Sequence, residues 1–192
     1  EDFQMVVDVH LMGTVNCTKA CWEIMRSQEY GRVVVTSSSS GLYGNFGQTN
    51  YGAAKLGVVG LMNTLVQEGA KYNIKVNALA PTAGTRMTEG LIAEKAFDLL
   101  TPETVTPAVL YLVSEDAPNR TILCAGAGAY SVSKIVETEG MWLSPEEQTP
   151  EGIAAHWDGI SSPEGERVLN AGFEQSIKMA AKAAEGLGIK LD

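Results

Sequence analysis

The sequence predicts an α/β fold with parallel strands, and two predicted strands separated by one helix carry that prediction. Residues 33–36 are consecutive β-branched residues, which is typical of a buried strand. Residues 74–80, IKVNALA, are predicted to form the next strand, which Pro81 ends. Apolar residues at helical spacing fill residues 51–72 between the two strands. The polar residues that follow the first strand would sit at the carboxyl end of a parallel strand, where open α/β sheets place their chemistry.

The remaining elements follow from the same periodicities. Helical spacing predicts a helix over residues 3–26, and further helices over residues 102–114, 150–158 and 173–185, the last of them ended by Gly186. Residues 121–124 are predicted to be a short last strand. The 192 residues are enough for one sizeable core.

Composition argues against several classes of partner and site. The net charge of −9 disfavours nucleic acid and anionic membranes as partners, and no apolar run reaches the roughly 18 residues that span a bilayer. Cys17 and Cys21 lie four residues apart, and we expect two small buried residues there rather than a metal pair. With Cys124 they make three cysteines, which fits a reducing compartment such as the cytoplasm. The two histidines, His10 and His156, complete no convincing metal site.

The polar residues after the first strand indicate chemistry. Four serines, residues 37–40, follow the strand, and Tyr51 and Lys55 then share one face of the next helix. A free tyrosine has a pKa of about 10, but a neighbouring ammonium stabilises the phenolate. Such a tyrosine can take a proton from an alcohol, while a serine hydroxyl holds the same oxygen. This combination suits the interconversion of alcohols and ketones, whereas Tyr51 and Lys55 taken alone also fit a surface pair.

The spacing of Ser38, Tyr51 and Lys55 resembles the catalytic set of the short-chain dehydrogenase/reductase family. Residues 43–57, YGNFGQTNYGAAKLG, are similar to the (3R)-hydroxyacyl-CoA dehydrogenase branch found in the multifunctional enzyme type 2 of fatty-acid β-oxidation. VHLMGT at residues 9–14 and NALAPTAGTRMTE at residues 77–89 extend the resemblance. It implies a three-layer, doubly wound parallel sheet (Rossmann-like), of which residues 1–130 would be the C-terminal part. Residues 131–192 would be an extension packed on it.

The resemblance also implies roles for particular residues. Tyr51 would be the catalytic base, Lys55 would stabilise its phenolate and hold the cofactor ribose, and Ser38 would orient the substrate oxygen. Ser40 is the alternative serine, since four serines in a row blur the assignment. His10 stands where many relatives have asparagine, and either relays the proton or only fills a kink in the helix.

Residues 81–85 match the family segment beside the nicotinamide. Pro81, Ala83 and Thr85 are therefore the candidate cofactor contacts, together with Tyr51 and Lys55. Many relatives have Pro-Gly at this point, whereas this chain has Pro81 followed by Thr82. No metal is expected.

The implied function is oxidation of (3R)-3-hydroxyacyl-CoA to 3-oxoacyl-CoA with NAD, and NADP is not excluded. One alternative is a reductase of 3-oxoacyl thioesters or steroids in the same family. Another is a truncated dimerisation module without catalysis. The helices at residues 3–26 and 51–72 resemble the pair that forms a homodimer interface in this family. The expected compartment is the cytoplasm, or the peroxisome for a eukaryotic multifunctional enzyme.

Three further expectations concern the ends of the chain and the substrate region. A glycine-rich cofactor turn does not precede residue 3, so we expect a C-terminal part of a longer protein that binds the cofactor poorly as it stands. Residues 88–100 correspond to a mobile lid over the substrate. Lys178 and Lys182 share a helix face, which we expect to be solvated rather than to contact a phosphate of coenzyme A.

Overall fold

The computed structural model describes residues 2–86, 90 and 93–191. The chain divides into two compact units, Glu1–Ser133 and Lys134–Asp192. The first unit contains a four-stranded sheet in the order β1 (Gly31–Thr36), β2 (Ile74–Pro81), β3 (Ile122–Gly126) and β4 (Ala129–Ser133). The first three strands are parallel, with Thr36 opposite Leu79, and β4 runs antiparallel to β3. The predicted parallel α/β sheet is therefore confirmed.

A long helical segment precedes the sheet and is interrupted once. It consists of α1 (Asp2–Val7), a π-helical turn (Asp8–Met12) and α2 (Gly13–Ser27). π-Turns inside helices contain one residue more than a regular α-turn, and they occur often at functional sites. The sequence predicts the helix over residues 3–26 correctly, but periodicity does not reveal the π-turn that holds His10.

Helices cover both faces of the sheet in the first unit. The short helix α3 (Ser39–Tyr43) is followed in the chain by α4 (Thr49–Gly69). Val58 and Met62 of α4 pack against Val76 and Ala78 of β2. On the opposite face, α6 (Thr106–Leu112) packs Leu112 against Leu79. A single turn, α5 (Glu94–Phe97), lies between β2 and α6. Alternate residues of β2 thus enter two separate cores, as a three-layer α/β arrangement requires.

Asn77 ties β2 to the segment that leads into β3. Its side chain is fully buried, its Nδ2 donates to the Pro118 carbonyl at 2.8 Å, and its Oδ1 accepts from the Thr121 N–H at 2.9 Å. A buried amide with both ends bonded replaces backbone partners that this turn lacks. Asn77 therefore fixes where β3 begins.

Strand β4 was not predicted. It follows β3 through a two-residue loop in which Ala127 and Gly128 both have positive φ, at 51° and 74°. Two such residues in succession are typical of a type I′ hairpin turn, which matches the twist of the flanking strands. The weakly apolar sequence AYSVS, exposed over most of its length, gives little strand signal by itself.

The second unit contains the helices α7 (Pro150–Ala155), α8 (Trp157–Ile160) and α9 (Gly172–Leu187). The prediction that Gly186 ends the last helix is wrong. Gly186 lies inside α9, where the Trp142 indole occupies the space that a Cβ would need. Gly188 ends the helix instead, in the left-handed conformation at φ 66°.

The expectation of a solvated lysine face on α9 is also wrong. Lys178 is 6% exposed, forms an ion pair with Glu137 and donates to the Thr138 carbonyl at 2.9 Å. Lys182 pairs with Glu139 at 2.6 Å. Both ammonium groups are neutralised within the second unit, because residues 137–139 place two carboxylates beside α9.

Cys17 and Cys21 are exposed, which corrects the expectation that they are buried. Their face of α2 borders an open groove of about 670 Å³ along the free edge of β1 rather than the core. Among the described helices, none is both long and apolar enough to cross a bilayer. The described residues contain no group of three or more potential metal-binding His, Cys, Asp or Glu side chains.

Candidate functional site

The candidate residues lie at the carboxyl edge of the parallel strands, where open α/β sheets place their ligands. Lys55 enters this edge from α4. Its ammonium donates to the Thr36 carbonyl, at the end of β1, with a distance of 2.9 Å. The residue is only 8% exposed, and burial holds the pKa of Lys55 below its usual value of 10.5. Helix α4 therefore delivers a nearly buried cation to the end of the first strand.

Tyr51 lies one turn before Lys55 and contacts two of the other candidates. The Lys55 Nζ is 5.6 Å from the centroid of the Tyr51 ring. The His10 ring meets the Tyr51 ring edge to face, with centroids 5.0 Å apart and an angle of 88° between the planes. The structure thus brings together His10, Tyr51 and Lys55 from two separate helical segments.

His10 owes its position to the π-turn. Its carbonyl accepts a hydrogen bond from the Thr14 hydroxyl at 2.9 Å. Burial, and to a smaller extent the positive charge of Lys55, lower the pKa of His10 below its usual 6.5. The imidazole next to Tyr51 is therefore neutral at pH 7.

The four serines occupy different environments. Ser37 is buried, and its hydroxyl donates to the Lys55 carbonyl at 2.8 Å. Ser38 is the N-cap of α3, and its Oγ accepts from the Ser40 N–H at 3.2 Å. This bond uses a lone pair and leaves the Ser38 O–H free to act as a donor. Ser39 is exposed, and Ser40 lies within α3. Within the described residues, Ser38 and Tyr51 are not hydrogen-bonded to each other.

Helices α3 and α4 approach closely because two glycines face the contact. A Cβ on Gly41 would lie 2.8 Å from the carbonyl carbon and Cβ of Lys55, and one on Gly52 would lie 3.0 Å from the Ser40 carbonyl oxygen. Real Cβ atoms do not come as close as 2.8 Å to other carbons. The helix that carries Ser40 is therefore packed directly onto the backbone of the helix that carries Tyr51 and Lys55.

The candidate cofactor contacts follow β2 at the same edge, because β1 and β2 are parallel. Pro81 is the last residue of β2, and Ala83 packs against the second core. The backbone here is anchored by bonds from Thr82 N–H to the Ala125 carbonyl at 2.8 Å and from Gly84 N–H to the Leu100 carbonyl at 2.6 Å. Thr85 follows this anchored stretch. The predicted lid, residues 88–100, lies partly outside the described residues, and of it α5 forms one helical turn.

The Lys55 ammonium at this edge has donors left for a bound ligand. An ammonium has three N–H donors, and within the described residues the only hydrogen-bond acceptor of Lys55 is the Thr36 carbonyl. Two donors therefore remain for ligand hydroxyls. Sequence reasoning missed Thr36 and Ser37, which hold Lys55 from the strand side. A signal was present, since both residues directly precede the candidate Ser38.

Comparisons with known proteins identify the family of the chain. Residues 1–96 match the family model described as short chain dehydrogenase. A short-chain type dehydrogenase/reductase of Mycobacterium tuberculosis is 46% identical over 175 residues, which cover 91% of this chain and 60% of the relative. The peroxisomal multifunctional enzyme type 2 of Mus musculus is 45% identical over 163 residues, which cover 83% of this chain and 22% of the relative.

A solved structure has the same fold. The full-length peroxisomal multifunctional enzyme type 2 from Drosophila melanogaster matches with a TM-score of 0.85 and 35% identity, over 97% of this chain and 34% of that one. The chain thus spans between about one fifth and three fifths of the length of these relatives. The chain belongs to the short-chain dehydrogenase family, because the family model matches half of its residues and because its fold and these relatives agree with that match.

Proposed function

We propose that this chain is part of an oxidoreductase that converts (3R)-3-hydroxyacyl-CoA to 3-oxoacyl-CoA with NAD. The observation that carries the proposal is the placement of Tyr51 between Lys55 and His10 at the carboxyl edge of the sheet. The names of the multifunctional enzymes among the relatives support the acyl-CoA branch. The sequence similarity at residues 43–57 supports it as well.

In the proposed reaction, Tyr51 accepts the proton of the substrate 3-hydroxyl as the C3–H bond breaks. A bound nicotinamide, held by Lys55 and the residues after β2, would supply the acceptor for the hydride that leaves C3. Ser38 donates a hydrogen bond to the reacting oxygen through its free O–H, and this bond orients the substrate. Ser40 remains the alternative for this role, because its place in α3 also borders the site.

Lys55 has two proposed tasks. Its ammonium lies near enough to the Tyr51 ring to stabilise the phenolate electrostatically, and low solvent exposure strengthens that interaction. Its two remaining N–H donors suit the hydroxyls of the cofactor ribose. Pro81, Ala83 and Thr85 would contact the nicotinamide from the end of β2, and His10 would receive the proton from Tyr51.

The proposed assembly is a homodimer, and exposed apolar side chains support it. Phe3, Met5, Val9 and Met12 in the first helical segment and Leu56 in α4 are between 41% and 62% exposed. Apolar surface of this extent on two neighbouring helices favours contact with a second copy. The compartment stays as predicted, cytoplasmic or, in a eukaryotic multifunctional enzyme, peroxisomal.

The test is the Tyr51→Phe variant of the full-length protein, assayed with (3R)- and (3S)-3-hydroxyacyl-CoA and with NAD and NADP. Loss of the proton acceptor is expected to lower kcat for the (3R) substrate by about 10²–10⁴-fold, with an unchanged thermal midpoint. Tyr43→Phe is the matched control, since the Tyr43 hydroxyl donates to the Ser133 hydroxyl at 3.1 Å and bonds to no other described residue. Near-normal turnover by Tyr51→Phe would show that Tyr51 is not the base. A parent protein without turnover on any of these substrates would refute the acyl-CoA assignment and leave the steroid reductase and the non-catalytic module as the alternatives.

The serine assignment has its own comparison. Ser38→Ala is expected to lose most of the turnover, and Ser40→Ala is expected to keep it. The opposite result would transfer the orienting role to Ser40.

A further inference from the structure

We propose that Ser37 is a positioning residue that fixes the ammonium of Lys55 for its work beside Tyr51. This inference rests on the proposed function, because it assigns Lys55 to that reaction. Ser37 itself does not touch substrate or cofactor in this proposal. It acts only through Lys55.

Two consecutive residues, Thr36 and Ser37, form hydrogen bonds with Lys55 at opposite ends of that residue. Thr36 accepts the Lys55 Nζ–H through its carbonyl at 2.9 Å, and Ser37 donates its hydroxyl to the Lys55 carbonyl at 2.8 Å. One residue of α4 is therefore held at its backbone and at the tip of its side chain by adjacent residues of one short segment. Thr36 pairs with Leu79 in the sheet, and the Ser37 N–H donates to the Leu79 carbonyl at 2.7 Å, so both attachment points are tied to β2.

The Lys55 carbonyl does not need the Ser37 hydroxyl as a hydrogen-bond partner. Lys55 lies in the interior of α4, where its carbonyl already accepts the regular bond from the residue four positions later. The serine therefore uses the second lone pair of that oxygen. Ser37 is 2% exposed, and at such a site a small apolar residue would fill the volume without any polar group to bury. The hydroxyl adds a directional attachment rather than packing.

The contact between α3 and α4 supports the same role. Gly41 lies against the backbone of Lys55 and Leu56, so the helix is seated at the residue that Ser37 holds. Without the Ser37 bond, Lys55 can shift relative to Thr36, and its ammonium gains access to water. Its pKa then rises toward the usual value, since burial is what lowers it.

The titratable side chains beside Lys55 are Tyr51 on α4 and His10 in the π-turn. Within the described residues, Lys55 forms no ion pair with a carboxylate. Neither Tyr51 nor His10 is bonded to Ser37, whose hydroxyl is directed at the Lys55 carbonyl. A change in the Lys55 titration after replacement of Ser37 would therefore report the hydration and placement of the ammonium.

The experiment uses the full-length protein with Ser37→Ala, the hydroxyl-retaining Ser37→Thr and the control Ser39→Ala, whose serine is exposed. The first measurement is the NMR titration of the ¹³Cε signal of Lys55, which needs no substrate. The second is kcat with a (3R)-3-hydroxyacyl-CoA. Ser37→Ala is expected to raise the midpoint of the Lys55 titration and to lower kcat by about three- to tenfold, the effect of one hydrogen bond. Ser37→Thr restores most of both, and Ser39→Ala changes neither.

An unchanged Lys55 titration and an unchanged kcat in folded Ser37→Ala would overturn the proposal, and so would a loss in Ser37→Thr as large as that in Ser37→Ala. Should Ser37→Ala not fold, Ser37→Cys preserves the volume with a weaker donor and is judged by the same titration. A shifted titration in a protein whose parent does not oxidise hydroxyacyl-CoA would support the positioning role and refute the proposed function.

Discussion

Replacing Gly41 by alanine is expected to damage the candidate site through a single methyl group. The new Cβ would lie 2.8 Å from two carbon atoms of Lys55 and 2.9 Å from the Leu56 nitrogen. Carbon atoms in contact prefer about 3.5–4.0 Å, so α3 and α4 must separate by roughly 1 Å. Overpacking of this kind costs about 1–3 kcal/mol of the free energy of unfolding.

The same displacement reaches the ammonium of Lys55. A shift of about 1 Å lengthens its 2.9 Å bond to the Thr36 carbonyl beyond hydrogen-bonding range. A misplacement of about 1 Å in a catalytic constellation can lower the rate by about 10²-fold. Gly41→Ala is therefore expected to lower kcat as well as the free energy of unfolding.

The assay combines thermal unfolding with steady-state kinetics on the full-length protein. The thermal midpoint is expected to fall by about 2–4 °C for each kcal/mol lost, while kcat falls by one to two orders of magnitude. Gly13→Ala is the control, because a Cβ there would meet one atom, the Asp8 carbonyl oxygen, at 3.8 Å. If Gly41→Ala kept the parent midpoint and the parent kcat, the inference that α3 seats directly on Lys55 would be refuted.

Two further predictions concern buried polar groups. Asn77→Ala should lower the free energy of unfolding by about 2–6 kcal/mol, since it leaves the Pro118 carbonyl and the Thr121 N–H without their bonds; a urea midpoint close to that of the parent protein would contradict this. His10 has a pKa below its unfolded value of 6.5, so its neutral form contributes stability that is fully present above pH 6.5 and is lost as pH falls through the folded pKa. His10→Asn should flatten the decline of the urea midpoint below pH 6.5, and equal slopes in the two proteins would refute the role of His10 in that decline.

The parts of the fold that the sequence reveals are those with strong periodicity. The β-branched run of β1 is recognisable from its residue types, although only Gly31 and Val35 of β1 are buried. Strand β2 is recognisable because most of its residues are buried in the sheet. β4 escapes prediction because its side chains are mostly exposed and its hairpin depends on Ala127 at positive φ, a conformation that alanine rarely adopts. The prediction that Gly186 ends α9 is wrong because this glycine has another role. Its missing side chain allows the Trp142 indole to pack against the interior of the helix.

In the candidate site too, local patterns are predictable from the sequence and contacts between distant segments are not. Tyr51 and Lys55 were identifiable because helical spacing alone puts them on one face. Their contact with His10 depends on how two distant helices pack, which no local pattern encodes. The burial of Lys178 against Glu137 depends on a partner 41 residues earlier in the chain, and helix periodicity cannot distinguish such a paired lysine from a solvated one.

Because of the π-turn at Asp8–Met12, the number of residues in this segment determines which way the side chains of α1 face. Because the turn contains one extra residue, α1 is rotated by about 100° relative to a continuous α-helix. A single-codon deletion within the turn would restore regular helix and swing Phe3 and Met5 to another side of the molecule. Insertions and deletions here would therefore alter which apolar surface is available for assembly, while every remaining side chain kept its identity.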